Sequence, residues 1–276
     1  MDARVERKRM KKLQKQKRIA KRLAKLLDLT ETNNLILAGF TDGDTTGAPT
    51  SKRKNTVSIT QKPRSVSRKI IFDFDDTLFP TLWYTTNKLR YTPSDLDKLM
   101  QPVAEEVCNL ITYALEAFDH VVIITNAEEG WVQIILSTFP CFHKLHNIVD
   151  DNVPIFSART KFSNKSSCPY MWKHYTFRAL LQTFGKSPID LTSIGDGPCE
   201  RKAALDLLSD PEFAHIAQIT SLTMVPCLLS PALFCRQLVY VRRAMQHLSK
   251  RNVPRRVLDM VISVTSPPKD TTATGA

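Results

Sequence analysis

Four short strings in this 276-residue sequence gather the residue types that do chemistry. Asp73-Phe74-Asp75-Asp76-Thr77 places three carboxylates and a hydroxyl in one short stretch. Thr125-Asn126 offers a hydroxyl and an amide, and Lys173 an ammonium. Gly195-Asp196-Gly197 is followed by Glu200. Clustered carboxylates are the oxygen ligands that hard divalent cations prefer. Each string alone is weak. Asp-x-Asp after an apolar run also occurs in glycosyltransferases and in many carboxylate metal sites. A Gly-Asp pair can be a simple turn, and a lone lysine on a helix is usually solvated. The ordered series is much more specific than its parts.

Such groups cooperate only if rigid backbone brings them to one place. Residues 69–75 form a short apolar run ending in acids, the pattern of a buried parallel strand. Strands are also expected at 120–125, 191–195 and 216–224. Helices are expected at 93–118, 128–137, 170–184, 199–208 and 231–248, and the stretch between Asn126 and Lys173 must supply a helix and a short strand. The 93–118 helix carries Leu96, Leu99, Val103, Val107, Leu110, Ile111 and Leu115 on one face. Strands alternating with helices predict an α/β fold, a doubly wound Rossmannoid parallel sheet with right-handed crossovers. Ligands in such sheets bind beyond the carboxyl ends of the strands. The first, second and fourth strings end strands there, and Lys173 lies near the start of a helix.

The series strand-DxDxT, strand-T-N, Lys, strand-G-D-x-x-x-E resembles the four motifs of the haloacid-dehalogenase-like (HAD-like) superfamily. The likeness covers about residues 69–205. Its most specific part is Ile70-Ile71-Phe72-Asp73-Phe74-Asp75-Asp76-Thr77-Leu78. Ser157-Ala158-Arg159, Trp172-Lys173 and Ser193-Ile194-Gly195-Asp196-Gly197 are similar to strings in poorly characterised eukaryotic HAD-like proteins. The resemblance implies that Asp73 is a nucleophile forming an aspartyl-phosphate. It implies Mg²⁺ held by Asp73, the backbone carbonyl of Asp75 and Asp196, with Glu200 acting through water. Asp75 would protonate the leaving group and then activate water. Thr125 and Lys173, helped by Asn126, would hold the phosphoryl oxygens. Thr77 would brace the loop, and Asp76 would be structural. Lys161 and Lys165 stand as alternatives to Lys173, which has the better spacing to Asp196. Glu200 stands where the family commonly has Asp, a substitution the family also shows.

An Asp at position 75 points within that family to a phosphatase or phosphotransferase rather than a dehalogenase. About 47 residues separate Thr77 from Thr125, and the 93–118 helix takes half of them. Asn126 and Lys173 are similarly spaced. Little or no cap domain therefore fits, and an open site suggests a bulky or macromolecular phosphorylated substrate. Phe79, Trp83, Tyr84 and Tyr91 could form a small flap or simply pack on the domain edge. Two other readings compete: a catalytically weak HAD-like scaffold, and a nucleic-acid-associated protein. A response-regulator receiver domain uses similar residue types, but its receiving Asp ends a later strand and it lacks the DxDxT string.

The formal charge of +12 is unevenly placed. Residues 1–69 hold 19 Lys/Arg against 6 Asp/Glu, and the remainder 20 against 21. The basic character thus belongs to an arm. Residues 1–28 read as a basic helix with a partial apolar stripe of Leu13, Ile19, Leu23, Leu26 and Leu27. It could serve as a nuclear-import signal or contact nucleic acid or an anionic membrane. Residues 29–67 read as a flexible linker, 68–250 as the HAD-like domain and 251–276 as a C-terminal tail, largely disordered. No secretory h-region and no run of ~18–20 apolar residues is present. An intracellular protein, nuclear or cytoplasmic, is expected, with its six cysteines as free thiols.

Overall fold

The structure, a computed structural model, describes residues 66–225, 230–248 and 257–263. The expected arm (1–28) and all but the last two residues of the expected linker (29–67) lie outside the described residues. So do the contacts foreseen for them.

Among the described residues six strands form one sheet: β1 Ser67–Phe72, β2 His120–Thr125, β3 Ile155–Ser157, β4 Ile189–Gly195, β5 Ile216–Met224 and β6 Val257–Ile262. Their spatial order is β3-β2-β1-β4-β5-β6, and every pairing is parallel. The chain steps from β1 outward to β3, then crosses back to place β4 on the other side of β1. That reversal opens a crevice beyond the carboxyl ends of β1 and β4. The molecule is α/β with a Rossmann-like sheet.

Helices cover both faces: α1 Thr81–Asn87, α2 Pro93–Ala117, α3 Trp131–Thr138, α4 His143–Asn152, α5 Ala158–Phe162, α6 Pro169–Gln182, α7 Pro198–Leu205 and α8 Pro231–Leu248. The strand periodicity divides the core in two. Ile70, Phe72, Val121, Ile123, Ile194 and Leu222 face a layer that includes α2, α3, α4 and α8. Ile71, Val122, Ile124, Leu191 and Ile219 face α6 and α7. Full burial of each large aliphatic or aromatic side chain contributes about 1.5–3 kcal/mol.

Local signals set the helix ends. Thr92 caps α2, its hydroxyl oxygen accepting from the Asp95 amide at 3.2 Å, and Pro93 opens the first turn. The buried stripe of α2 contains Leu96, Met100, Val103, Val107, Leu110, Ile111 and Ala114. Leu99, expected on that face, is 36% exposed, and Met100 takes the core position. Leu115 is only partly buried. The expected stripe holds at Leu96, Val103, Val107, Leu110 and Ile111, and differs only where Met100 and Ala114 replace Leu99 and Leu115.

Several boundaries shift by a few residues, and two differ in consequence. β1 ends at Phe72 rather than 75, because the chain curls into a turn: the Leu78 and Phe79 amides both donate to the Phe74 carbonyl, at 2.8 and 3.1 Å. The stretch expected as a largely disordered tail from 251 supplies β6, which pairs with β5 from Ile219↔Val257 to Met224↔Ile262. As an edge strand it buries only Ile262 fully, so its apolar pattern is short. Arg201 on α7 donates through Nε to Asp259 of β6 at 2.8 Å. No described helix is long and apolar enough to cross a membrane.

Candidate active site

The last residue of β1 hands the chain directly to the acids. The Asp73 amide donates to the Ile194 carbonyl at 2.8 Å, which carries the β1–β4 pairing one residue further. Asp73 is therefore fixed at the crevice and is only 5% exposed. Beyond it, residues 73–79 fold back on themselves. Asp76 takes a left-handed conformation at φ 54°, and its amide donates to the Phe79 carbonyl at 2.8 Å. Asp and Asn tolerate that region better than most residues. The Asp76 carboxylate accepts from the Leu82 amide at 2.9 Å, so its role is to hold the turn against α1. Phe74 and Phe79 stack with centroids 6.2 Å apart beneath it. Thr77 is fully buried, and its hydroxyl points to Asp73 Oδ2 at 3.5 Å.

Lys173 enters from α6. It is 1% exposed, and its Nζ is ion-paired to both Asp73 Oδ1 and Glu200 Oε1. Neither Lys161 nor Lys165 takes that place. Lys165 is exposed, with its Nζ 5.2 Å from the Phe162 ring centre. Glu200, in the first turn of α7, is 5% exposed. Its path runs past Gly195, where a Cβ would come within 2.4 Å of the Glu200 Cγ and 2.7 Å of its Cβ. Only glycine leaves that room. Gly195→Ala is expected to push Glu200 out of the cluster, at a cost of about 1–3 kcal/mol from overpacking. A titration with Mg²⁺, read by thermal shift, checks this: the variant should lose most of the cation-induced stabilisation.

Asp73, Asp196 and Glu200 offer oxygens all within 4.8 Å of one another, and among the described residues no other such group of His, Cys, Asp or Glu occurs. Burial pushes the Asp73 carboxyl well above its ordinary range. Lys173 opposes that rise, and the Glu200 and Asp196 charges add to it. Asp196 is pushed up to about 6, first by burial and then by Glu200. Burial disfavours the Lys173 ammonium, yet the attraction of Asp73 and Glu200 more than offsets it and holds the amine above its usual basicity. With all groups ionised, three carboxylates face one ammonium, a buried excess of two negative charges. Glu200 Oε2 is buried without a hydrogen-bond partner. An all-oxygen donor set, a double negative excess and an orphaned carboxylate oxygen fit a hard divalent cation.

Asp75 lies in a separate setting. Its Oδ2 accepts from the Thr125 hydroxyl at 3.0 Å. Its Oδ1 accepts from the Thr81 hydroxyl at 2.7 Å and from the Trp131 indole N–H at 2.8 Å. Thr125, at the end of β2, also accepts from the Ala127 amide at 2.9 Å. Gly130 sits at φ 87° just before α3 and turns the chain so that Trp131 opens the helix. Asn126 donates to the Pro169 carbonyl at 3.3 Å, while its Oδ1 is buried without a partner. The fold thus joins Asp73, Lys173, Asp196 and Glu200 in one cluster. It joins Asp75 to Thr125 in another and turns the Asn126 amide towards α6. Sequence reasoning missed Thr81 and Trp131. A tryptophan opening a helix just after a polar loop, with an indole N–H that needs an acceptor, was the available signal.

Of the aromatics of 79–91, Phe79 and Trp83 pack inward and Tyr84 is half-buried against the core, while Tyr91 is 42% exposed. Phe79 is fully buried against Tyr84, Phe139 and Phe142, Trp83 is 8% exposed, and Tyr91 lies on Trp83. No family model, no curated protein and no solved structure matches this chain.

Proposed function

We propose that the chain is a HAD-like, Mg²⁺-dependent phosphoester hydrolase working through an aspartyl-phosphate on Asp73. The observation that carries this reading is the buried Asp73–Lys173–Glu200 group, joined by Asp196 and left with one unpartnered carboxylate oxygen. Asp73, the Asp75 carbonyl, Asp196 and Glu200 would hold the cation. Bound there, it would neutralise the repulsion between a carboxylate and a phosphate dianion.

Asp73 attacks phosphorus through a carboxylate oxygen, and the bond from phosphorus to the leaving oxygen breaks. Asp75 gives its proton to that oxygen. Asp75 then takes a proton from water as the water oxygen attacks the acyl phosphate, releasing inorganic phosphate and the Asp73 carboxylate. The two hydroxyls on Asp75 can accept as well as donate, so the carboxyl group is held in both protonation states. Lys173, together with Thr125 and Asn126, stabilises the charge on the transferred group.

Only α1, a short 3₁₀ turn and α2 separate Thr77 from Thr125, and α2 lies on the sheet. A site with little or no cap suits a bulky or macromolecular phosphoester. The catalytically weak scaffold is favoured by one observation: Thr125 and Lys173, the donors assigned to phosphate, are both engaged with protein carboxylates. Turnover of an aryl phosphate by the full chain separates the two. Hydrolysis with Mg²⁺ should fall by about a hundredfold on chelation, in line with the several kcal/mol such a cation supplies. A folded protein inert on phosphopeptides, nucleotides, sugar phosphates and 3′-phosphorylated oligonucleotides would be the scaffold.

A further inference from the structure

We infer that Trp131 is a positioning residue for Asp75: its indole N–H fixes the direction in which the carboxyl group is held. The inference rests on the hydrolase reading and goes beyond it.

A carboxylate has about four lone-pair sites, two on each oxygen. Both sites on Asp75 Oδ1 are taken, by Trp131 Nε1 at 2.8 Å and Thr81 Oγ1 at 2.7 Å. Oδ2 has one partner, Thr125 Oγ1 at 3.0 Å. The three donors are not equivalent. A hydroxyl can rotate and accept, but an indole N–H only donates. Trp131 is thus the one partner of Asp75 that cannot turn away, and Oδ1 is the anchored oxygen. Trp131 can impose this because it is itself fixed: it opens α3 and packs against the core cluster on that face of the sheet. The anchor reaches Asp75 from 56 residues along the chain. The acid's orientation is thus set in part by the second crossover, in addition to the Thr81 contact beside its own turn.

The consequence is specific to the leaving group. A poor leaving group such as an alkoxide needs the proton in the transition state, and p-nitrophenoxide hardly does. Losing the indole donor frees Asp75 to rotate. Trp131→Phe keeps a ring in the core and removes only the donor. General-acid catalysis is worth about 10²–10⁴, so loss of its orientation should lower the alkyl-to-p-nitrophenyl ratio of kcat about tenfold. In an Asp75→Asn background the same substitution should leave that ratio unmoved, because no acid remains to be aimed. Thr81→Val, which removes the second Oδ1 partner outside the core, should shift the ratio in the same direction.

A readout independent of turnover accompanies these. The chain has three tryptophans, so its indole N–H region in a nitrogen–proton correlation spectrum should show three signals. The one lost in Trp131→Phe should be the one that moves most in Asp75→Asn. Absence of turnover in the wild-type chain would remove the hydrolase reading yet leave this spectral coupling to stand. An active wild type overturns the inference if Trp131→Phe and Thr81→Val slow alkyl and p-nitrophenyl substrates equally. An unmoved Trp131 signal in Asp75→Asn overturns it too.

Discussion

Asp73→Asn should abolish phosphoester turnover, with kcat falling by about 10⁴-fold or more, as losses of nucleophiles in other covalent mechanisms do. The substitution is nearly isosteric, so the effect reads chemistry rather than packing. An amide oxygen is a far weaker nucleophile and cannot carry the phosphoryl group as a stable acyl phosphate. The fold should survive. Asn removes a buried carboxylate that burial already pushes towards its neutral form, and Lys173 keeps Glu200 as its counter-charge. The check is steady-state turnover beside a thermal melt, with a search for phosphate on Asp73 in the wild type by rapid acid quench and peptide mapping. A variant that melts normally and retains a tenth of its activity would remove Asp73 from the nucleophile's role.

Lys173→Met should be the most damaging substitution for stability among the site residues. Methionine fills the aliphatic volume of lysine but leaves Asp73 and Glu200 facing each other, both about 95% buried, without the cation between them. Removing one partner of a buried ion pair costs about 3–5 kcal/mol. For a domain of this size each kcal/mol lowers Tm by roughly 2–4 °C, so a drop on the order of 10 °C is expected in metal-free buffer. Mg²⁺ should recover part of the loss, since it supplies positive charge to the same carboxylates. An unchanged Tm would mean that the amine does not bridge them. A drop that Mg²⁺ cannot touch would mean that the carboxylates no longer form a cation site once the amine is gone.

The strong periodic elements were legible from residues alone. β2, β5 and α8 fall at 120–125, 216–224 and 231–248 as expected, because their apolar patterns are bounded by turn residues or proline. The central β1 was placed but ran too long on paper. Asp73 and Asp75 look like continued alternation, and nothing local announces that Phe74 accepts the hydrogen bonds that close the turn. Edge elements were the hardest to read. β3 has only three residues and β6 buries one side chain fully, so neither carries enough periodicity to stand out. At the site, the meeting of Asp73 and Asp196 followed from strand ends in a doubly wound sheet, while the places of Glu200 and Lys173, both on helices, came from the resemblance. Lys173 was preferred to Lys161 and Lys165 for its spacing to Asp196, and its ion pairs to Asp73 and Glu200 agree with that choice. Trp131 was hidden for a different reason. A large apolar residue at the start of a helix reads as core, and its polar edge acquires meaning only when β1 and β2 lie side by side.

The two rims of the sheet, lastly, carry unlike defences against intermolecular pairing. β3 is too short to template a neighbour's strand, which is protection by brevity. β6 is twice as long, and among the described residues it is bonded on one side only. There the safeguard is charge: Asp259, in mid-strand and tied back by Arg201, sets a carboxylate where an incoming strand would have to desolvate it. Neutralising that one position should make the colloidal behaviour of the molecule depend on its C-terminal border, far from the catalytic crevice.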